Sequence, residues 1–591
     1  MSAEFPRAMN CPRPNSIARR TGLALLVVIV LGAFLRLHGI GFLLPEQTEP
    51  DGVVYSAQVK DFQDDRIDEE TRILYAFYPH LVARLAVGIA PRPEFATPAA
   101  SLAEHVERAS EPRKRIRIMV ALLSLLAIPA VWMLARRFMA PAFAVGAAAF
   151  MASSFFTIWF AQQARPHAAS TAFAALAVVA AVHLRAFGGW KAYLCAGLTA
   201  GLAVCSLQSG LAVLPAIATA VLFRWRAREE SASRVALGSL LIVAIVALLV
   251  VIFYPFVFTS GQPGEIAQQN SMLNLSGHLV DLKLFNGGGF ATIARNAWQY
   301  DPVICALAVL GILIGIGELW SRRKSLSRAS RDELLVVLAF VVPYAIVIGL
   351  YERTYQRFVL PLTPFECVMA GYALCRIVSF AAGISCFTHR IAVAAAALVL
   401  AFQVFGAWRL VDARAEPSTI DESARWIESH VPRDARISLM TLMELPLQYT
   451  EPAFEASRPA QFDVSFLWFR YLARLGPAAF DGACWNIFAM QLTTPTFLEE
   501  ARTDPNAFLK KQDADYAVVI ADPRRPVFRG LRAAAMNFGT RVARFSPDAV
   551  DEGENLGFAY QDDDAEYTTP WFVRGLNARC VGPVVEIYKL R

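Results

Sequence analysis

The chain has 591 residues, 56% of them apolar, and a mean hydropathy of +0.41. Its uncharged apolar runs repeat at roughly 20 residues, the length a bilayer requires and more than a water-soluble core absorbs, so a wholly soluble protein is excluded. The net charge of +6 is small for this length, and Lys and Arg gather at the ends of apolar runs, which suits orientation in a lipid bilayer rather than a nucleic-acid surface.

The polar first 20 residues end in Arg19-Arg20, and the run that follows lacks a small-residue cleavage pattern, so it reads as a first membrane helix rather than a removed signal. Eleven crossings are expected, near 21–40, 116–135, 138–158, 168–187, 192–206, 209–224, 235–257, 301–320, 334–351, 359–382 and 390–410. Two of them are short and meet at Gln208-Ser209-Gly210. Basic loops at Arg19-Arg20, Arg136-Arg137, Arg185 with Lys191, 224–234, 322–328 and Arg390 are assigned to the cytoplasm, as is the N-terminus. The opposite side receives the wet loop 41–115, the 159–167 segment, Gln208, loop 258–300, the 352–358 turn and the C-terminal part. Arg113, Lys114, Arg115 and Arg117 break this pattern at the end of a long loop, where the rule is weak.

From about Val411 the composition becomes that of a soluble domain. Ser418 and Asp421 have capping-box spacing, and Ile420, Ala424, Ile427 and Val431 recur on one helix face. Short strand-like runs ARISLMT, DYAVVIAD and VVEIYKL follow, which predicts a compact extracytoplasmic α/β domain over 411–591 behind a membrane domain over 1–410. The aromatic-rich stretch Leu445–Asn506 either fills that domain's core or faces the membrane domain. No tandem repeat, Walker loop, HExxH or GxSxG occurs. Of nine cysteines none has CxxC spacing; Cys195, Cys205, Cys305, Cys367 and Cys375 read as small hydrophobes, and Cys484 and Cys580 could pair in an oxidising compartment.

The ionisable residues expected to carry chemistry collect on one side. Glu49 and Asp51 follow the first membrane helix in TEPDGVVY, and Asp51 would sit at the start of a helix opening near Gly52. Such a carboxylate can serve as general base toward a hydroxyl or amine at the membrane edge, or simply cap the helix. Tyr55 is an interfacial anchor or a substrate donor, Asp61 a weaker second carboxylate, and His80 in FYPHLVARL a substrate contact or a buried hydrogen-bonding group. In WFAQQARPHAAS, Arg165 and His167 lie where one span ends and the next begins, with Pro166 fitting a helix start. Cations there can neutralise a lipid phosphate or merely snorkel to headgroups. Glu352, Arg353 and Arg357 in YERTYQRFVLPLTP form a candidate phosphate clamp or a structural network, and Gln208 is a fainter pointer. Glu366 lies within an apolar segment, with Arg376 as its expected partner.

EPDGVVY after the first membrane helix, QARPHAAS, RFVLPLTP, the DESARWI helix and the terminal VEIYKL together resemble the integral-membrane C-type (GT-C) glycosyltransferases, the superfamily of the protein mannosyltransferases and lipid A aminoarabinose transferases. The resemblance covers the membrane portion and implies a polyprenyl-phosphate-linked sugar donor, an extracytoplasmic active site and inversion at the sugar carbon. A first-loop acid, Asp51, would be the base, and Arg165, Arg353 and Arg357 would bind phosphate. The family's acidic pair stands here as Asp51-Gly52, so Glu49 would supply a second carboxylate; His167 replaces a frequent acid, and Gln208 a frequent base. The implied enzyme is an inner-membrane glycosyltransferase acting on a lipid, glycan or protein acceptor. No cofactor is expected: some relatives use a divalent cation, but arginine outnumbers carboxylate at the phosphate site. The competing classes are a transporter of polyprenyl lipids or oligosaccharides, which would show a polar path across the bundle, and a non-catalytic membrane scaffold, which would need no convergent site.

Overall fold

A computed structural model of the protein describes residues 14–46, 49, 52–65, 78–91, 101–258, 272–275, 278–322, 328–440, 444–457, 467–489, 495–521, 526–548, 557–558 and 569–591. The membrane half contains helices α1 (Pro14–Leu37), α2 (Gly52–Asp64), α3 (Leu81–Val87), α4 (Leu102–Ser124), α5 (Ala127–Ala135), α6 (Pro141–Ser153), α7 (Phe155–Ala161), α8 (His167–Phe187), α9 (Gly189–Ser206), α10 (Leu214–Ala227) and α11 (Ala232–Phe253). It continues through a two-stranded ribbon, β1 (Met272–Leu275) and β2 (His278–Asp281), to α12 (Gly289–Tyr300), α13 (Pro302–Arg322), α14 (Arg328–Leu350), α15 (Thr363–Ile384) and α16 (Cys386–Ala415).

Nine described helical stretches are long and apolar enough to cross a membrane, or ten with the bent pair α6–α7, against the eleven expected. The difference is the expected span 192–206. Its helix, α9, opens with Trp190, Lys191 and Tyr193, and these polar and amphipathic residues dilute the apolar stretch. Leu23, Leu26, Val27 and Val30 of α1 and Leu237, Leu240 and Val243 of α11 face outward, as a lipid-facing surface requires. The centre of the bundle is α8, an alanine-rich helix whose first nine residues, His167 to Ala175, are all buried. Small side chains let its neighbours close in, the packing a bilayer favours because lipid tails give helices no hydrophobic reason to associate. The site is organised around the N-terminal end of this helix.

The C-terminal region contains α17 (Thr419–His430), β3 (Arg436–Met440), α18 (Glu451–Ser457), α19 (Leu467–Leu475), β4 (Asn486–Ala489), α20 (Pro495–Thr503), α21 (Pro505–Lys511), β5 (Tyr516–Ile520), α22 (Pro526–Phe538), β6 (Gly539–Phe545), α23 (Trp571–Asn577) and β7 (Val585–Leu590). The five strands run in the order β4-β3-β5-β7-β6, with β3 parallel to β4 and β5, and β7 antiparallel to β5 and β6. The period-two pattern divides its side chains between two layers. Ile437, Leu439, Val518 and Ile587 join the core containing Ile420 and Ile427 of α17, whereas Met440, Ala517, Val519 and Tyr588 pack with α21 and α22. The Ser418/Asp421 capping box forms as expected. The aromatic stretch fills this domain: Phe454 and Phe469 stack at 4.2 Å, and the indole of Trp468 is buried and donates to the Leu447 carbonyl at 2.8 Å.

One possibility is closed and one expectation corrected. Cys484 and Cys580, whose pairing the sequence leaves open, are free thiols, and Cys580 is buried. Arg376 pairs with Glu318 of α13, one helix across, rather than with Glu366 on its own helix. The reason is geometric: Glu366 and Arg376 are ten positions apart on α15, far beyond the three- or four-residue spacing that brings helical side chains together. The C-terminal domain docks through α23, where Phe572 covers Gly406 and packs at a tilt against Phe155, while Arg409 of α16 donates to the Ala578 carbonyl at 2.8 Å.

Candidate active site

The chain reaches the site through a broken span. Helices α6 and α7 meet at a 48° bend around Ser154, which frees the last carbonyls of one and the first N–H groups of the other. Arg36 of α1 takes the first set: its guanidinium donates to the Ala152 and Met151 carbonyls at 2.8 and 3.0 Å and to the hydroxyls of Ser124 and Thr157. Asp301 takes the second, accepting from Phe155 N at 2.9 Å, Phe156 N at 3.2 Å, Ser154 Oγ at 2.6 Å and Gln403 Nε2 at 2.7 Å. A cation at a helix C-terminus and an anion at an N-terminus both complement the helix dipole. Residues 162–166 then lead from α7 into the start of α8.

A second buried pair fixes the first loop. Arg117 of α4 forks onto Glu49 at 3.0 and 2.9 Å, with both side chains fully buried. The same guanidinium donates to the Ile40 and Phe42 carbonyls at 3.0 and 2.8 Å and stands over the Phe42 ring, which Arg414 covers at 4.0 Å. Glu49 Oε1 also accepts from Ala164 N at 3.0 Å, tying the loop after α1 to the segment before α8. Gln162 completes the junction, donating to the His38 carbonyl at 2.6 Å and accepting from Arg414 at 2.8 Å.

At this junction three of the expected phosphate-binding residues meet. Arg165 is buried and donates to Gln163 Oε1 at 3.3 Å. His167 opens α8 with the Phe358 ring 6.0 Å away, and its Nδ1 has no hydrogen-bond partner among the described residues. The charges of Arg357 and Arg165 both bear on it. Arg357 projects from the 3-10 turn Gln356–Phe358 and is held by the rings of Tyr355 and Phe358 at 4.4 and 5.4 Å. Two guanidinium groups and an imidazole from segments nearly 200 positions apart in sequence thus share one place, an arrangement suited to an oxyanion.

Other expected residues stand elsewhere. Glu352 and Arg353 line a separate cleft of about 380 Å³ with Arg295, Gln299 and Trp571, and Glu352 accepts from Asn286. His80 is buried against Phe62 and Phe256 and lies 6.5 Å from the Tyr254 ring, and Gln208 donates to the Tyr254 hydroxyl, so these two meet at one tyrosine. The Tyr344 hydroxyl donates to the Phe358 carbonyl at 2.7 Å, which braces the Arg357 turn. Tyr55 is buried, edge-on to Tyr78 at 5.9 Å. Asp51 lies outside the described residues, as do Arg66 to Glu70 of the acidic run after Asp65; Asp61 is described, on α2.

The sequence reading missed Arg36, Asp301, Arg117 and Arg414, because each acts on partners more than 60 positions away. It also missed Glu46, which is fully buried; burial, reinforced by Asp421, raises its carboxyl well above the usual range. The one signal available was the cluster Arg113 to Arg117, which violated the charge rule. No group of three or more His, Cys, Asp or Glu suited to a metal ion occurs among the described residues.

Residues 109–254, which run from within α4 through α11 and include Arg117, Arg165 and His167, match the family model described as dolichyl-phosphate-mannose-protein mannosyltransferase. That match covers about a quarter of the chain. Among solved structures it is similar to the archaeal oligosaccharyltransferase AglB from Archaeoglobus fulgidus, in complex with an inhibitory peptide and a dolichol-phosphate. The two share 13% identity over 90% of this chain and 74% of that one, with a TM-score of 0.49. ArnT from Cupriavidus metallidurans, bound to undecaprenyl phosphate, shares 14% identity over 90% of this chain and 97% of its own, with a TM-score of 0.42. The Saccharomyces cerevisiae protein O-mannosyltransferase Pmt1–Pmt2 complex, bound to the sugar donor, shares 18% identity over 42% of this chain and 35% of that one, with a TM-score of 0.31. No curated protein sequence matches this chain.

Proposed function

We propose that this protein transfers a sugar from a polyprenyl-phosphate-linked donor to an envelope acceptor on the extracytoplasmic face of a bacterial-type inner membrane. The observation that carries the reading is the convergence of Arg165, His167 and Arg357 beside the anchored first loop, within reach of a bundle whose outer surface is lipid. In this reading the acceptor O–H or N–H attacks the anomeric carbon as the bond from that carbon to the phosphate oxygen breaks. The electron pair leaves with the polyprenyl phosphate, whose growing charge the two arginines stabilise. The acceptor proton passes to Asp51, and attack opposite the leaving group inverts the sugar carbon.

Glu49, with both oxygens engaged, acts in this scheme by holding the loop that carries Asp51. Positioning of this kind matters because a reactant held in line loses little further freedom on the way to the transition state. Glu352 and Arg353 are assigned to the neighbouring cleft, and His80, Gln208 and Tyr55 to the walls behind the first loop.

The test is transfer from a synthetic polyprenyl-phosphate sugar by the purified protein in lipid, with wild type beside Asp51→Asn and Arg165→Ala. Loss of transfer with donor still bound is expected for Asp51→Asn, and weakened donor binding for Arg165→Ala. A correctly folded wild type that binds no polyprenyl-phosphate sugar would end this reading in favour of a scaffold.

A further inference from the structure

A second cationic site lies on the far side of the Glu49–Arg117 pair. One helical turn before Arg117, Arg113 turns into a pocket of about 110 Å³ between α2, α4 and α19. Lys60, Arg108, Arg113, Arg470 and Arg474 line it, and none of the described lining residues is acidic. Arg113 is 2% exposed; its Nε donates to Ser56 Oγ at 3.3 Å, and neither Nη1 nor Nη2 has a hydrogen-bond partner among the described residues. A buried guanidinium with unmet donors is costly unless an acceptor arrives.

Among the described residues, the two carboxylates that act on Arg113 make their hydrogen bonds elsewhere. Glu49 is held by Arg117 and Ala164 N, and Glu444 accepts from Trp468 N at 3.0 Å and Phe469 N at 2.6 Å. Arg108 pairs with Glu104 on the outer face of its own helix. Arg470 and Arg474 crowd one another: burial and the Arg474 charge push Arg470 below its usual value, although Glu444 pulls the other way. The pocket stands on the polar first half of α4, before its apolar stretch begins near Ile118, and its roof is α19 of the C-terminal domain. It therefore opens at the membrane surface rather than within the hydrocarbon.

We propose that this pocket is a second oxyanion site, distinct from the Arg165–His167–Arg357 group, that takes a phosphate-class anion between the first loop and the C-terminal domain. Arginine forks from α4 and α19 grip tetrahedral oxygens from two sides. Binding there ties the C-terminal domain to the membrane domain through the anion.

The proposal does not depend on sugar transfer, because inorganic phosphate alone is the probe. The full chain carrying Arg165→Ala and Arg357→Ala, in nanodiscs of zwitterionic phospholipid, is titrated with phosphate by calorimetry. It is expected to bind, and adding Arg470→Glu or Arg113→Met is expected to weaken binding by about tenfold or more, with Arg470→Lys restoring part of it. Arg470→Glu changes a partly buried side chain at the pocket wall, and the unfolding midpoint of each variant is read beside its titration. Absence of phosphate binding in the Arg165→Ala/Arg357→Ala chain, or unchanged affinity on adding Arg113→Met and Arg470→Glu, overturns the site. Repeating the titration in anionic phospholipid separates the sources: displacement of phosphate identifies a lipid headgroup as ligand, and undisturbed binding identifies a molecule delivered from the aqueous side. Either result upholds the site.

Discussion

The helix break at Ser154 and the pocket at Arg113 both bury a guanidinium, and they differ in how it is satisfied. At the break, Arg36 is met by carbonyls and hydroxyls, and Asp301 by N–H, hydroxyl and amide donors; together they close both ends of a broken helix. At the pocket, Arg113 faces a cavity and other cations, with two nitrogens unmet among the described residues. A buried charge whose hydrogen bonds are complete belongs to the architecture. One left facing space belongs to a ligand.

Breaking a completed arrangement is expected to have the largest effect. Glu49→Ala leaves Arg117 buried without its carboxylate and should cost about 3–5 kcal/mol, read as a lowered unfolding midpoint in detergent. Asp301→Ala strands the N–H groups of Phe155 and Phe156, each worth about 1–3 kcal/mol when left unsatisfied, and should be nearly as damaging; Asp301→Asn should recover part of the loss. Equal midpoints for wild type and Asp301→Ala would mean that the break is held by packing alone.

Arg165→Ala probes the site itself and should separate stability from activity. Transfer is expected to fall by about 10²–10³-fold, the loss typical of removing one preorganised charge at a departing oxyanion, with little change in midpoint. A matching fall in both quantities would place Arg165 among the structural residues instead.

Arg113→Met sharpens the contrast from the other side. Replacing an unmet buried cation by an apolar chain of similar length should leave stability unchanged or raise it by about 0.5–2 kcal/mol, while phosphate binding weakens by about tenfold or more. Destabilisation comparable to that of Glu49→Ala would show that Arg113 is a structural residue after all.

The smallest effect is expected at Glu586 of β7, a third completed arrangement. Burial favours its neutral form, but Arg532 at 2.7 Å, the Tyr588 hydroxyl and Arg541 at 2.8 Å outweigh that and hold the carboxyl below its usual value. A depressed carboxylate contributes stability above its unfolded-state value and loses it as pH falls through the folded one. The midpoint gap between wild type and Glu586→Gln should therefore be constant near neutrality and shrink in acid. A gap that stays constant into acid would remove the charged cluster as its cause.

Much of the architecture could be read from the chain because it rests on local chemistry. Apolar length placed the membrane helices, Ser418 and Asp421 marked the start of α17, and the alternating runs found β3, β5 and β7. Strands β4 and β6 were passed over: Asn486–Ala489 is four residues long inside an aromatic stretch, and β6 carries Arg541 and Arg544 on a half-exposed edge, so neither has a clean alternation. The crossing at 192–206 was expected from length, which says nothing of the Trp190–Tyr193 turn at its start. Of the candidate site, Arg165, His167 and Arg357 could be picked out because each stands at the end of an apolar segment in the sequence, although Arg165 and His167 are buried in the fold. Glu352 and Arg353 were grouped with Arg357 because they are near in sequence, yet the turn between them sends them to a different cleft.

The sequence by itself determined that this chain crosses a membrane many times, carries a folded α/β domain after its last long helix and keeps its ionisable residues at the ends of spans. Those properties follow from transfer free energies and local hydrogen bonding, which depend on a few neighbouring residues. Which cation meets which anion was decided only by tertiary structure. Arg113 and Arg117 share one helix and one residue type, yet Arg117 finds Glu49 and Arg113 finds a cavity, because burial in low dielectric makes a charge depend on whatever the fold brings within a few ångströms.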